Sequence, residues 1–203
     1  MKKILFSLSV ILLLCFSVSA QEYDYCAGAS GAAAACSTST DYIGSKATTG
    51  TSTTATADYV RCTRFQATEM ACSSATLNTG YLYHTGTSSD NAKIAVFGRA
   101  SADVGASPTT DDVLIGTWGT IESYAVNGGY GSVPIGSGTI VKDRWYWACF
   151  ITDATVWERV ADATVGTNCY KNIAGSYTNP PEALADDYTT STTTYRMYFT
   201  IGP

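Results

Sequence analysis

From Tyr59 onward the chain is written in short apolar runs broken by turn residues. The runs are YVRCTRFQA (59–67), TGYLYHT (79–85), AKIAVFGRA (92–100), VLIGTW (113–118), RWYWACFIT (144–152), ATVWERV (154–160) and TTYRMYFTI (193–201). They are rich in Val, Ile, Thr, Tyr, Phe and Trp, the residues that fit a pleated, half-buried surface. Between them lie GTSSDN, SADVGASPTTDD, NGGYGSVPIGSG and YTNPPEALADD, clusters that turns require. Weaker strands are expected near 121–126, 138–141 and 164–170. No long stretch repeats its apolar positions every 3.6 residues, so helix is a minor component. Strands at this spacing predict an all-β protein, an antiparallel sandwich of two sheets.

The run DRWYWACF (143–150) is the most apolar of these. Side chains alternate along a strand, so Trp145, Trp147 and Cys149 share one face and Tyr146, Ala148 and Phe150 the other. Both faces are apolar. That predicts a central strand covered on one side by the opposing sheet and on the other by loops. In the last run Tyr195, Met197, Phe199 and Ile201 fall on one side, and Arg196, Tyr198 and Thr200 on the other.

Residues 21–58 read differently. CAGASGAAAAC and SKATTGTSTTATAD are small-residue and Thr-rich, with no apolar period. They bury too little to offset their ordering entropy except as a loop, an edge strand or a tether. The Ala run 32–35 has the length of a single helical turn. The chain thus divides into 1–20, a low-complexity segment 21–58, and a sandwich 59–203.

Residues 1–20 have the form of a secretory signal peptide: Lys2 and Lys3, then an apolar stretch, then the small-residue site Val18-Ser19-Ala20. Cleavage there predicts a secreted, extracellular or cell-surface protein with no membrane insertion afterwards. Without Lys2 and Lys3 the basic residues fall from 12 to 10 against 17 acids, a net charge of −7. Such a balance argues against nucleic acid and anionic lipid as partners. Charged residues make up only 14% of the chain, leaving a neutral surface rich in hydroxyls. It suits contact with other extracellular proteins, with copies of itself, or with glycans.

Of the seven cysteines, Cys15 leaves with the signal. Cys26, Cys36, Cys62, Cys72, Cys149 and Cys169 remain, an even set that reads as disulfides. Six cysteines allow fifteen connectivities. The simplest is sequential, because Cys26/Cys36 and Cys62/Cys72 share one spacing. A zinc site has no C-x-x-C pair to use and only one histidine, His84.

The order "IG" at 43–44, ADYVRCTRFQA, NAKIAVFGRA, a Pro-containing loop, LIGTW and GTIVKDRWYWA resembles a recurrent group of jelly-roll, lectin-like β-sandwich domains. These occur in bacterial secreted and phage-associated surface proteins. The resemblance covers about residues 41–152 and rests on packing positions. It implies a jelly-roll sandwich with an extracellular binding or structural role, and it carries over no catalytic residue.

Candidate chemistry is sparse. A triad would have to use His84, and no G-x-S-x-G elbow is present. Glu122 and Glu158 are the acids nearest aromatic strands and form the one pair worth weighing for glycosidase chemistry. The loops SSDN (88–91), TTDD (109–112) and ADD (185–187) offer oxygens for calcium, without EF-hand spacing. No other cofactor is implied. Exposed aromatics beside small polar residues suit glycans: Tyr130 in its Gly-rich loop, with Trp118, Tyr124 and Trp157, and more peripherally Tyr170, Tyr177 and Tyr188. The expected function is non-catalytic, structural or adhesive at the cell surface, with self-assembly into filaments by strand addition. The alternative is a lectin-like carbohydrate-binding module.

Overall fold

A computed structural model describes residues 36–37, 40–48, 51–84, 90–122, 129–154, 157–162, 169–191 and 194–203. The signal sequence, Cys26, the Ala run and Tyr124 lie outside them, as do the side chains of His84, Trp157, Glu158, Cys169 and Tyr170. The strands are β1 (Tyr42–Gly44), β2 (Thr51–Ala55), β3 (Tyr59–Gln66), β4 (Ser74–His84), β5 (Ala92–Gly98), β6 (Val113–Ile121) and β7 (Gly129–Pro134). They continue as β8 (Thr139–Val141), β9 (Trp145–Thr152), β10 (Trp157–Asp162), β11 (Cys169–Ala174), β12 (Thr189–Ser191), β13 (Thr194–Tyr195) and β14 (Met197–Gly202). No helix forms among the described residues.

The strands make two antiparallel sheets. The first runs β1-β14-β4-β10-β13, with β2 on β10 and β7 and β8 on β4. The second runs β12-β11-β3-β9-β5-β6. The low-complexity segment therefore supplies two strands: β1 pairs with β14, and β2 with β10. Of the readings open to it, edge strand holds for these stretches, and the sandwich begins before Tyr59. Tyr42 and Ile43 alternate with Gly44 against Tyr198, which gives β1 one buried residue and two facing outward. Gly44 has φ +108°, and a side chain there would run into Met197 O and lie 2.7 Å from Tyr198 Cα, so only glycine lets β1 lie this close.

Between the sheets lies the main core. Ile43, Leu82, Met197, Phe199 and Ile201 come from the first sheet, and Ile94, Val96, Tyr146, Ala148 and Phe150 from the second. Gly80 faces this core, where a Cβ would stand 2.5 Å from Ile94 Cδ1. The outer face of the second sheet carries a separate apolar cluster built on Val60, Cys62, Phe97, Trp147, Cys149 and Ile151. Loops roof it with Val104 and Leu184, and Tyr177 and Tyr188 pack on its margin. The strand β9 is covered on both faces, with Trp147 fully buried and Trp145 half-buried. Burying a ring of that size contributes several kcal/mol, about 3–5 by truncation.

Asp112 sits under the same roof, fully buried. Its Oδ1 accepts from Arg99 Nε at 2.7 Å, and its Oδ2 from Trp147 Nε1 at 3.2 Å and from Thr109 N at 3.0 Å. Both oxygens are thus engaged in anchoring the 99–112 loop to β9. The TTDD loop uses Asp112 for structure, since a carboxylate already bonded to a guanidinium has little to give a cation.

The cysteines correct the sequential pairing. Cys36 bonds Cys72, and Cys62 bonds Cys149. Cys62 and Cys149 stand directly opposite each other in the β3–β9 register, with Cα atoms 4.1 Å apart. Equal spacing along the chain misled because partner strands, not chain neighbours, bring sulfurs together. The two bridges point to an oxidising compartment.

Candidate functional site

Alternation along β4 turns Leu82 into the core and leaves Tyr81 and Tyr83 on the opposite, outer face. The same rule buries Phe199 and leaves Tyr198 outside on β14. The register then sets Tyr198 directly across from Tyr81, and Tyr130 of β7 directly across from Tyr83. Tyr42 of β1 joins them from the edge. Five tyrosines from four strands gather on this one face, all half-buried, and neither apolar cluster includes them.

Their geometry is specific. Tyr81 and Tyr198 stack face to face with centroids 4.3 Å apart and planes 4° from parallel. Tyr130 meets Tyr198 and Tyr83 edge-on, each at 5.0 Å, and Tyr42 meets Tyr198 edge-on at 6.0 Å. Edge-to-face contacts set the positive ring edge against a negative ring face. Lys46 Nζ lies 3.8 Å from the Tyr42 centroid and 5.2 Å from that of Tyr198, a cation held by two rings. The Tyr130 hydroxyl shares its proton between Ser45 O at 3.1 Å and Ala47 O at 2.9 Å. That fastens the chain after β1 to the face. Buried Arg196 donates from Nη1 to Ser45 Oγ at 2.9 Å and holds the same segment.

Burial raises the pKa of Tyr130, and Tyr198 adds to the rise while Arg196 opposes it. Burial also raises Tyr198, with Tyr81 as the second cause. Among the described residues the face gathers five phenols and the exposed ammonium of Lys46, with the buried guanidinium of Arg196 near Tyr130. No carboxylate, imidazole or thiol among the described residues belongs to it.

Of the aromatics expected to form a site, Tyr130 is in this face. Trp118 belongs to the other sheet. Its indole donates to Pro181 O at 2.9 Å and its ring stands edge-on to Phe97 at 5.6 Å, packed on the second apolar cluster. The structure does not bring it to Tyr130. Trp157 begins β10, which pairs with β4 in the tyrosine sheet; its side chain and Tyr124 lie outside the described residues. Tyr177 and Tyr188 pack against the second cluster. Tyr42, Tyr81, Tyr83 and Tyr198 escaped the sequence reading. The signal for them is the alternation in YLYH and RMYFTI, where each tyrosine takes the phase opposite to its apolar neighbours.

Glu122 is exposed after β6 in the second sheet, while Glu158 is on β10 of the first. In the SSDN loop, Asn91 donates from N and Nδ2 to both carboxylate oxygens of Asp153, at 2.9 and 2.7 Å. Among the described residues no group of three or more His, Cys, Asp or Glu is placed to hold a metal ion. No protein-family model matches the chain, and no curated protein matches it.

Proposed function

We propose that this chain is a secreted, non-catalytic adhesive domain that holds extracellular glycan on the tyrosine face of its first sheet. One observation carries the reading: the register sets Tyr81 across from Tyr198 and Tyr83 across from Tyr130, and Tyr42 of a fourth strand meets Tyr198 edge-on. Tyrosine joins large apolar area to a hydroxyl at small cost in rotamer entropy. Sugar C–H faces pack on rings, and sugar hydroxyls bond phenols. A face built mostly of phenols, with Lys46 its one exposed cation among the described residues, makes no strong demand on the charge of the glycan.

The jelly-roll resemblance fits the same reading, and non-sequential neighbours such as β1-β14-β4 and β3-β9-β5 support it. Filament assembly by strand addition has less behind it. Among the described strands, the edges β1, β8, β12 and β13 are two or three residues long and β6 is bulged against β5 with Gly116 at φ +83°, while β2 and β7 run five and six residues. Short and bulged edges offer a poor template for another chain.

Affinity electrophoresis tests the reading. The chain is run through native gels containing neutral bacterial and plant polysaccharides, beside Tyr81→Ala and Tyr198→Ala. Retardation by at least one polysaccharide is expected, with each variant losing about tenfold in affinity, as for one stacked aromatic contact. Retardation unchanged in both variants contradicts it.

A further inference from the structure

Where β1 passes the end of β3, a cleft of about 290 Å³ opens beside the tyrosine face. Its walls include Tyr42, Arg64, Gln66, Glu69 and Trp145. Tyr42 belongs to both features, so the cleft continues the face around the edge of the sandwich.

The walls are fixed in place. Tyr42 N donates to Glu69 O at 3.1 Å. Asp41, itself buried, accepts from Ala71 N at 3.0 Å and from Ser37 N at 2.6 Å. The Cys36–Cys72 bond ties the same two segments covalently. On the other side the Arg64 guanidinium lies 4.2 Å from the Trp145 ring centre and donates from Nη2 to Val104 O at 2.8 Å. Gln66 donates from Nε2 to Asp143 O at 2.8 Å, which orients its amide. A cleft held this way loses little entropy on filling.

We propose that this cleft binds a single neutral hexopyranose unit, the end or a branch of the glycan whose following units lie on the tyrosine face. This rests on the glycan reading and names the sugar class. Volume sets the ligand size, because 290 Å³ falls just below the range of drug-sized pockets and suits one ring. Chemistry sets its type. A guanidinium, an amide and a carboxylate are planar groups that meet neighbouring hydroxyls two at a time, and the aromatic rings offer packing for C–H faces. Charge decides the rest. Arg64 and Glu69 carry opposite signs at one site, so the attraction a uronate or an amino sugar finds at one is offset by repulsion at the other, whereas a neutral polyol bonds to both without that offset.

The test is a titration of the secreted, disulfide-bonded chain followed by amide NMR and tryptophan fluorescence. The probes are D-glucose, D-galactose, D-mannose and N-acetyl-D-glucosamine, with D-glucuronate and D-glucosamine as charged counterparts. At least one neutral sugar is expected to shift the amides of Tyr42, Arg64, Gln66 and Glu69. Glu69→Ala and Gln66→Ala, both at accessible positions, are expected to weaken it about tenfold, as for one lost hydrogen bond. Thr110→Ala, exposed in the 99–112 loop, is expected to leave monosaccharide binding unchanged. The proposal is overturned if no neutral hexose shifts these amides, if glucuronate or glucosamine binds in its place, or if both cleft variants bind as the parent does. Polysaccharide retardation that depends on Tyr81 and Tyr198 without any hexose shift removes the cleft and leaves the face. Hexose shifts without that dependence do the reverse.

Discussion

Tyr130 shows how one side chain carries both structure and surface. Its hydroxyl secures the 45–47 segment while its ring edge supports Tyr198 and Tyr83. The phenol must stay neutral for this, and burial keeps it so. Tyr198, Tyr146 and Tyr177 are raised by burial as well. The sign for stability follows. These groups ionise later in the folded chain than in the unfolded one, whose tyrosines titrate near pH 10. Above about pH 10 the unfolded state has released protons that the native state still holds, so stability is intact below that pH and falls as pH rises. Thermal midpoints measured from about pH 8 to about pH 12 are expected to be level and then to drop, with a shallower drop in Tyr130→Phe. A midpoint level through about pH 12 contradicts the packing described. Of the five tyrosines the sequence reading singled out only Tyr130, expected in a Gly-rich loop, and the structure places it in β7. The other four are hidden in runs that also supply core, and it takes the register to bring them side by side.

At the scale of elements, β9 was fully legible. WYWACFIT has no polar face, and such a strand must be covered twice. Much of β3, β5, β6 and β14 was readable for related reasons. The strands β1, β2, β7 and β12 were not, since YIG, TSTTA, GYGSVP and TTS hold few apolar residues and acquire their shape from partners. Tertiary context overrides weak local preference in such stretches. The same reason hid the disulfides. The Cys36–Cys72 bridge closes a loop of 36 residues, worth roughly 4 kcal/mol by chain entropy, and clips β1 to the turn after β3. A non-reducing peptide map is expected to link Cys36 to Cys72 and Cys62 to Cys149. The double variant Cys36→Ala/Cys72→Ala is expected to unfold at lower urea and to lose hexose binding before it loses its sheets. Peptides linking Cys26 to Cys36 and Cys62 to Cys72 contradict this arrangement.

Taken whole, the molecule has two groups of aromatics outside the main core, which holds Tyr146, Phe150, Tyr195 and Phe199. One group, with Trp147, Phe97 and Trp118, builds the second apolar layer under the loops. The other, Tyr42, Tyr81, Tyr83, Tyr130 and Tyr198, stands on the far sheet outside both cores. Trp118 was expected beside Tyr130, and the division of strands between sheets sends it elsewhere. Low charge and many hydroxyls were readable in the composition, while the gathering of the five tyrosines on one face depended on strand pairing across distant segments. The most direct measurement is a glycan array probed with the mature, disulfide-bonded chain and with Tyr81→Ala/Tyr198→Ala. The account predicts binding to a restricted set of glycans with neutral hexose ends, lost in the double variant. No binding across the array, or binding that survives removal of both tyrosines, contradicts it.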